Sequence, residues 1–429
     1  MNDSMTNISS TLPLFYSSTI PIVIVGHIDH GKSTLIGRLL YDTDSLPSDI
    51  MEEIEQGMKE SGKPAEFAYI MNHLEEERME KMTIDTAQSF FKTDKRHYAI
   101  IDTPGHREFI KSMITGTSQA EAAILIVSAL EGIEEQTKRH AYILGMLGIK
   151  QVILAINKMD LVNYSHDRFE ELKSELLSFL HSLEIRPNHA IPISARLGDN
   201  IAKAGENMRW YNGPTIFEAL DRLKTKEDPV AKPLRFPIQD TYIYDQKKIL
   251  AGSVLSGKVQ MGDEVVILPS KGKTRIESIE VYQNTKDVAE AGESIGIVLQ
   301  DDLALKRGEV ICHPQYSSEI KTRINANIFW ISSDPLQAKD RLTIRCATAE
   351  EYCHIERIEE RIDSSTLEII ENHSNILRET DVGKVTISID RPMVLEDFNE
   401  IEGLGRFVLT RSGEICAGGI INSRQEKSG

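Results

Sequence analysis

A glycine-rich segment near the N-terminus has the residue types and spacing of a phosphate-binding loop. Residues 26–33 follow the pattern Gly-x4-Gly-Lys-Ser, between an apolar run at 21–25 and an amphipathic run at 35–40. The first run is typical of a buried strand and the second of a helix, so the loop is predicted to join them. Backbone N–H groups of such a loop, together with the positive end of the helix dipole, bind an anion. The residues predicted to bind nucleotide phosphates are Gly26, His27, Asp29, His30, Gly31, Lys32, Ser33 and Thr34, with Lys32 at the β- and γ-phosphates.

Three further polar segments each follow an apolar run that is predicted to be a strand. They are Asp102-Thr-Pro-Gly-His106, Asn157-Lys-Met-Asp160 and Ser194-Ala195. Open α/β sheets bind ligands at the carboxyl ends of their strands, so these segments and the phosphate loop are expected to meet at one site. The carboxylate of Asp160 can accept hydrogen bonds from both N1–H and N2–H2 of guanine, a donor pair that adenine lacks, which predicts GTP and not ATP. The predicted guanine-binding residues are Asn157, Lys158, Asp160, Ser194 and Ala195.

The reaction expected at this site is hydrolysis of GTP with Mg2+ as cofactor. Ser33, Asp102 and Thr83 are the predicted Mg2+ ligands. Thr83 is chosen because a mobile loop that closes on the γ-phosphate needs a hydroxyl to complete the metal shell. The N–H of Gly105 is expected to contact the γ-phosphate. His106 follows directly, and its imidazole is predicted to orient the attacking water, which makes it the predicted catalytic residue.

The composition is that of a globular protein with a strong acidic excess. Of the 429 residues, 49 are basic and 66 are acidic, which gives a formal net charge of −17. Proteins that grip RNA place lysines and arginines against phosphate, so this charge weighs against a nucleic-acid partner. The sequence shows no secretory-signal pattern, no apolar run of membrane-spanning length, and four cysteines without zinc-site spacing. A reducing, cytoplasmic location without a membrane partner is predicted.

The hydrophobic pattern changes its period about half-way along the chain. A flexible polar tail is predicted at 1–19 and a GTP-binding domain at 20–223, in which strands alternate with helices. After a polar linker, short alternating runs follow, among them 250–259, and glycine turns separate them. β-barrel domains are predicted at 234–316 and 320–422. The expected fold is an α/β P-loop GTPase domain, with a mostly parallel sheet and helices on both faces, followed by two β-barrel domains.

These motifs and this domain order resemble the translation-factor class of GTPases over nearly the full length. Residues 26–34 and 105–119 are similar to elongation factor 1-alpha and elongation factor Tu. Other segments resemble CysN, the regulatory GTPase subunit of bacterial ATP sulfurylase. Those segments are 36–42, 83–91, 139–149, 198–201, 262–269, 361–368 and 389–392. His30 and the sequence Leu404-Gly-Arg-Phe407 are instead typical of the elongation factors.

The CysN resemblance implies a GTP-hydrolysing subunit of sulfate adenylyltransferase. Its partner would be a CysD-type catalytic subunit that forms adenylyl sulfate and diphosphate from ATP and sulfate, and GTP hydrolysis would help to drive that unfavourable reaction. The alternative is an elongation-factor-like GTPase that carries aminoacyl-tRNA, because both groups share the GTP motifs. A regulatory GTPase with another enzyme partner is a third hypothesis. The net charge and the barrel segments favour the sulfate adenylyltransferase hypothesis.

Overall fold

A computed structural model describes residues 19–61, 67, 88–101, 120–224, 229–244, 247–281 and 284–422 of the chain. The first part is an α/β domain. Its strands are β1 (Thr19–Val25), β2 (Gln88–Lys92), β3 (His97–Ile101), β4 (Ala122–Ser128), β5 (Gln151–Asn157) and β6 (His189–Pro192). They form one sheet of order β2-β3-β1-β4-β5-β6, in which only β2 is antiparallel to its neighbour. The carboxyl ends of the parallel strands therefore lie along one edge, where the predicted nucleotide segments begin.

Helices cover both faces of this sheet. The described helices are α1 (Lys32–Asp42), α2 (Ser48–Ser61), α3 (Glu135–Met146), α4 (His166–Ser182) and α5 (Ile216–Asp221). Successive residues of a strand point to opposite faces, and β1 shows this directly: Ile22 and Ile24 belong to the core under α1, α2 and α5, whereas Val23 and Val25 belong to the core under α3 and α4. The near-continuous apolar sequence of the central strands is thus explained by burial on two sides.

The first barrel follows the linker. Its strands are β7 (Phe236–Tyr244), β8 (Lys247–Ser253), β9 (Lys258–Gln260), β10 (Glu264–Leu268), β11 (Gly272–Val281), β12 (Asn284–Lys286), β13 (Val288–Glu290), β14 (Ser294–Leu299) and β15 (Val310–Cys312). Six of them close a ring in the order β10-β15-β7-β8-β14-β11, and β11 pairs back with β10. The run at 250–259, predicted as continuous, divides into β8 and β9. The break covers 254–257 and ends at Gly257, where φ is +74° and a Cβ would lie 2.5 Å from the Leu234 nitrogen.

The second barrel repeats this arrangement. Its elements are β16 (Ile320–Trp330), β17 (Leu336–Gln337), β18 (Arg341–Cys346), β19 (Ala349–Asp363), β20 (Ile369–Asn372), β21 (Ile376–Leu377), β22 (Asp381–Val394), α6 (Glu402–Gly405), β23 (Arg406–Arg411) and β24 (Glu414–Ile421). The ring runs β18-β23-β24-β16-β22-β19 and closes through a β18–β19 pairing. The predicted fold class, a GTPase domain followed by two β-barrels, is confirmed.

The second barrel packs against both other parts of the chain. Phe398 and Ile331 share a buried core with Leu144 of α3, and the Phe398 ring fills the space beside Gly148, where a Cβ would lie 2.4 Å from it. Arg406 donates to the Leu147 carbonyl at 3.0 Å. Towards the first barrel, a separate apolar cluster joins β10 and β15 to Val394, Ile401 and Leu404. Within the residues described, no helix is both long enough and apolar enough to cross a membrane.

Candidate nucleotide-binding site

The loop between β1 and α1 is shaped by two glycines that no other residue could replace without a clash. At Gly26 a Cβ would lie 2.3 Å from the Ile126 carbonyl oxygen on the neighbouring strand β4. At Gly31 the backbone has φ of +95°, and a Cβ would lie 2.5 Å from the Asn157 amide nitrogen. The loop therefore curls tightly over the carboxyl ends of β4 and β5, as a phosphate-binding loop must.

The first turn of α1 places the phosphate-loop side chains at the open edge of the sheet. Lys32, Ser33 and Thr34 are half-buried there. The Lys32 ammonium donates to the carbonyls of Gly26 at 3.0 Å and His27 at 2.9 Å, so the charge lies over the loop itself. A cation, a helix N-terminus and a glycine-lined curl at one point suit a triphosphate and its Mg2+.

His30 lies under the loop and does not face the open edge. Its side chain is fully buried, and Nδ1 is 3.4 Å from the Ile126 carbonyl. Burial is the main cause that lowers the pKa of His30, and the nearby His27 adds to it. A neutral imidazole that fills the base of the loop stabilises its shape, whereas the exposed Asp29 at the loop tip can face a ligand.

Asn157 joins the phosphate loop to the guanine segments. It ends β5 and is almost completely buried. Its Nδ2 donates to the His30 carbonyl at 2.9 Å, and its Oδ1 accepts from the Ala195 N–H at 2.9 Å. Both polar atoms are thus engaged inside the protein, so Asn157 holds three loops in register.

Asp160 and Ser194 meet at the same edge. The Ser194 hydroxyl donates to Asp160 Oδ1 at 2.7 Å, which fixes the carboxylate while its second oxygen stays available to a base. Lys158 has a left-handed backbone, with φ of +62°, and its ammonium lies 3.3 Å from the Glu131 carboxylate. The structure therefore brings the predicted residues of the phosphate loop, 157–160 and 194–195 together.

Glu131 is a residue of this site that the sequence motifs did not reveal. Its carboxylate contacts Lys158 and lies 3.8 Å from His30 Nε2. Hydrogen bonds and charge from Ser128, Lys158 and His30 lower the pKa of Glu131 against the opposing effect of burial. Glu131 follows the carboxyl end of β4, so the rule that located the other segments could have indicated it.

Four predicted residues lie outside the described part of the chain: Thr83, Asp102, Gly105 and His106. Ile101, the residue before Asp102, ends β3, which pairs with β1 through the register Val23↔Ile101. Among the described residues, no group of His, Cys, Asp or Glu side chains could hold a metal ion by itself. The predicted Mg2+ ligands and the catalytic histidine stay predictions.

A second concave surface lies on the first barrel. It is an open cleft of about 650 Å³, and its lining includes Tyr242, Ile249, Glu280, Ile295 and Arg307. Beyond Tyr242, which lines the cleft, β7 and β8 stay paired, with Ile243 opposite Lys248 and Tyr244 opposite Lys247. Tyr242, Ile243 and Tyr244 are 55%, 82% and 74% exposed. Exposed aromatic side chains beside lysines suit unstacked bases of a nucleic acid.

Comparisons with known proteins match the three parts of the chain to one class of GTPase. Residues 17–226 match the elongation factor Tu GTP binding domain, 248–312 match elongation factor Tu domain 2, and 323–422 match the GTP-eEF1A C-terminal domain-like family. Elongation factor 1-alpha of Pyrococcus furiosus is 40% identical over 95% of this chain and 98% of its own length. Elongation factor 1-alpha of Methanopyrus kandleri is 41% identical over 94% and 96%. A crystal structure of sup35 complexed with GDP aligns over 97% of each chain at 23% identity, with a TM-score of 0.45, too low to add to the comparison.

These relatives show that the hypothesis of a CysN-type subunit of sulfate adenylyltransferase is wrong. The predicted CysD-type partner and the predicted role in sulfate assimilation are therefore wrong as well. The full-length relatives are elongation factors 1-alpha. The segments that suggested CysN are short; of those in the described part of the chain, 36–42 and 139–149 lie largely on helices, and 262–269 and 389–392 lie largely on barrel strands. The net charge of the chain had also favoured the sulfate adenylyltransferase hypothesis. It was a poor guide because a sum over the whole chain does not describe the charge of a local surface.

Proposed function

We propose that this chain, which belongs to the elongation factor 1-alpha family of GTPases, is a GTP-dependent carrier of aminoacyl-tRNA. The observation that supports this most strongly is identity of 40% over nearly the full length of proteins named elongation factor 1-alpha. The similarity includes both barrels as well as the nucleotide domain, so it extends to the surfaces on which a carrier would hold its cargo. The expected domain boundaries are those of the sequence prediction, 20–223, 234–316 and 320–422.

In this proposal the nucleotide site binds GTP through the residues assembled at the sheet edge. Lys32 and the N-terminus of α1 take the phosphates, and Asp160 takes the guanine N1–H and N2–H2. Mg2+ would neutralise charge on the β- and γ-phosphates. Ser33, at the first turn of α1, would hold the ion together with Asp102 and, in the GTP state, Thr83. His106 would orient the attacking water.

The cleft on the first barrel is the proposed site for the aminoacyl end of the tRNA. That end of a tRNA is single-stranded, and proteins recognise single-stranded RNA by stacking bases on aromatic side chains. Tyr242 lines the cleft and is itself 55% exposed, so it can serve as a stacking surface. Arg307 on the lining, and Lys247 opposite Tyr244 at the end of β7 and β8, offer cations to the RNA backbone. A net charge of −17 is compatible with such a local surface.

The test is binding of aminoacyl-tRNA in two nucleotide states. We expect the chain with a non-hydrolysable GTP analogue to bind aminoacyl-tRNA at least tenfold more tightly than the GDP form does, and more tightly than it binds uncharged tRNA. The affinity should fall as salt rises, because phosphate contacts release counterions. Equal, weak binding of charged and uncharged tRNA in both nucleotide states would refute the proposal.

Asp160→Asn provides an internal control. The amide can accept only one of the two guanine donors, so the variant should lose affinity for GTP and gain affinity for xanthosine triphosphate, whose C2 carbonyl can accept from the new NH2. Binding of aminoacyl-tRNA by this variant should then require a xanthosine nucleotide. If the variant binds aminoacyl-tRNA with xanthosine triphosphate and not with GTP, then tRNA binding depends on the nucleotide bound at the Asp160 site.

A further inference from the structure

The turn that carries Asp160 has an unusual backbone. Three of its non-glycine residues adopt left-handed conformations: Lys158 with φ of +62°, Asn163 with +51° and Tyr164 with +53°. L-residues adopt this region rarely, and they keep it only where surrounding contacts hold them. Two of the three, Asn163 and Tyr164, lie at the end of the turn that is away from Asn157. Contacts at that end must therefore determine where the turn places the Asp160 carboxylate.

Two side chains hold the far end of the turn. The indole N–H of Trp210 donates to the Tyr164 carbonyl at 3.1 Å. The Trp210 ring is itself held by edge contact with His166, at a centroid distance of 4.8 Å, and by Phe169 at 5.4 Å. Because Phe169 is buried in α4, the indole is anchored to the domain core and gives Tyr164 a fixed position.

Tyr164 connects this turn to the other guanine segment. Its hydroxyl donates to Asp199 Oδ2 at 3.3 Å. Asp199 is part of the loop that begins at Ser194, whose N–H donates to the Asp199 carbonyl at 3.3 Å. Tyr164 and Asp199 thus join the two loops at the end away from Asn157, in addition to the bonds between Asn157 and Ala195 and between Asp160 and Ser194 Oγ.

The charges of the two loops favour the connection between Tyr164 and Asp199. Burial raises the pKa of Asp199 and the nearby Asp160 carboxylate raises it further, whereas the hydrogen bond from Tyr164 lowers it. The nearby Arg38 acts in the same direction as Tyr164 by lowering the pKa of Asp199. Two carboxylates on facing loops repel each other when both are ionised. The Tyr164 hydroxyl offsets that repulsion, and the two loops can stay close.

We propose that Tyr164, Asp199 and Trp210 form a brace that positions the Asp160 carboxylate and so sets the discrimination between guanine and bases that lack the 2-amino group. The three are positioning residues, since they act through Asp160 and its loop. The inference rests on the proposed binding of GTP at this site. On this proposal, three residues outside the guanine motif, each from a different part of the chain, also determine which base the site prefers.

The test compares GDP with IDP, whose base differs from guanine only by the missing 2-amino group. In the full-length chain, Tyr164→Phe removes the hydroxyl and keeps the ring. We expect its preference for GDP over IDP to fall roughly threefold to tenfold, the value of one hydrogen bond. Tyr98→Phe is the matched control, because Tyr98 also donates to a carboxylate, Asp221 Oδ1 at 3.1 Å, in the same domain. The control should lose thermal stability and keep the wild-type preference.

Trp210→Phe is the second variant, since it removes the N–H that holds the Tyr164 carbonyl and keeps an aromatic ring. It should lower the GDP preference in the same direction as Tyr164→Phe. If both variants fold and keep the wild-type ratio of GDP to IDP affinity, the brace is refuted, even where their melting temperatures fall. A wild-type chain that binds GDP and IDP equally would refute the guanine site itself, and the brace with it.

Discussion

The two barrels have the same ring of six strands, but they differ in their contact with the GTPase domain. The first barrel leaves an open cleft beside Tyr242, and Ile243 and Tyr244 are more than two-thirds exposed. The second barrel buries comparable side chains, such as Phe398, against the GTPase domain, and uses Arg406 to hold the Leu147 carbonyl. The same ring of six strands can thus cover its apolar side chains against a neighbouring domain or leave them exposed, and we propose that the exposed ones bind a ligand.

The largest effect is expected where the two barrels are joined. The Arg235 guanidinium of the first barrel and the Glu396 carboxylate of the second are both buried, and Nε and Oε1 are 2.5 Å apart. Glu396→Ala would leave Arg235 buried without its carboxylate, so the free energy of unfolding should fall by about 3 kcal/mol. Glu264→Ala, which removes the exposed partner of Arg275, should cost at most about 1 kcal/mol. Denaturant unfolding measures the free energy of unfolding of both variants. If the two variants lose the same amount, the Arg235–Glu396 contact between the barrels does not act as a scaffold.

A smaller effect, in binding and not in stability, is expected at the first barrel. Tyr242→Ala removes a proposed stacking surface and should weaken aminoacyl-tRNA about tenfold, the scale of one stacked base. Tyr352 of the second barrel is equally exposed, at 55%, and lies over Arg341. Tyr352→Ala should leave tRNA affinity unchanged. If Tyr352→Ala weakens tRNA binding and Tyr242→Ala does not, the tRNA surface lies on the second barrel and not on the first.

The sequence was sufficient for the fold class because periodicity reports burial. The apolar runs at β1, β4 and β5 indicate strands covered on both faces, and the change to period two after the linker indicates the barrels. The run at 250–259 shows where this reasoning fails: it alternates correctly, yet it divides after Ser253, and the Leu234 backbone lies close to Gly257 within the break. A close contact between two segments that are distant in the sequence leaves no pattern in the residues of either segment.

The nucleotide site was predictable to the extent that its residues form local motifs. Asn157, Asp160 and Ser194 were found because each follows a strand. Glu131 was missed, since its place in the site depends on contacts with Lys158 and His30 that no spacing shows. The function was misassigned because short segments of helices and barrel strands were given more weight than His30 and residues 404–407, which indicated the elongation factors.

The proposed function places the aminoacyl end of a tRNA in the first-barrel cleft of the GTP-bound chain. An aminoacyl end held against the wall of this cleft has its ester bond shielded from water on the side that faces the protein. The most direct measurement is the rate of spontaneous ester hydrolysis of aminoacyl-tRNA with the chain bound to a GTP analogue or to GDP. We expect hydrolysis to slow at least tenfold with the GTP analogue, to be unaffected with GDP, and to be slowed much less by Tyr242→Ala. If the ester hydrolyses as fast with saturating GTP-bound chain as it does without protein, the aminoacyl end is not held in this cleft.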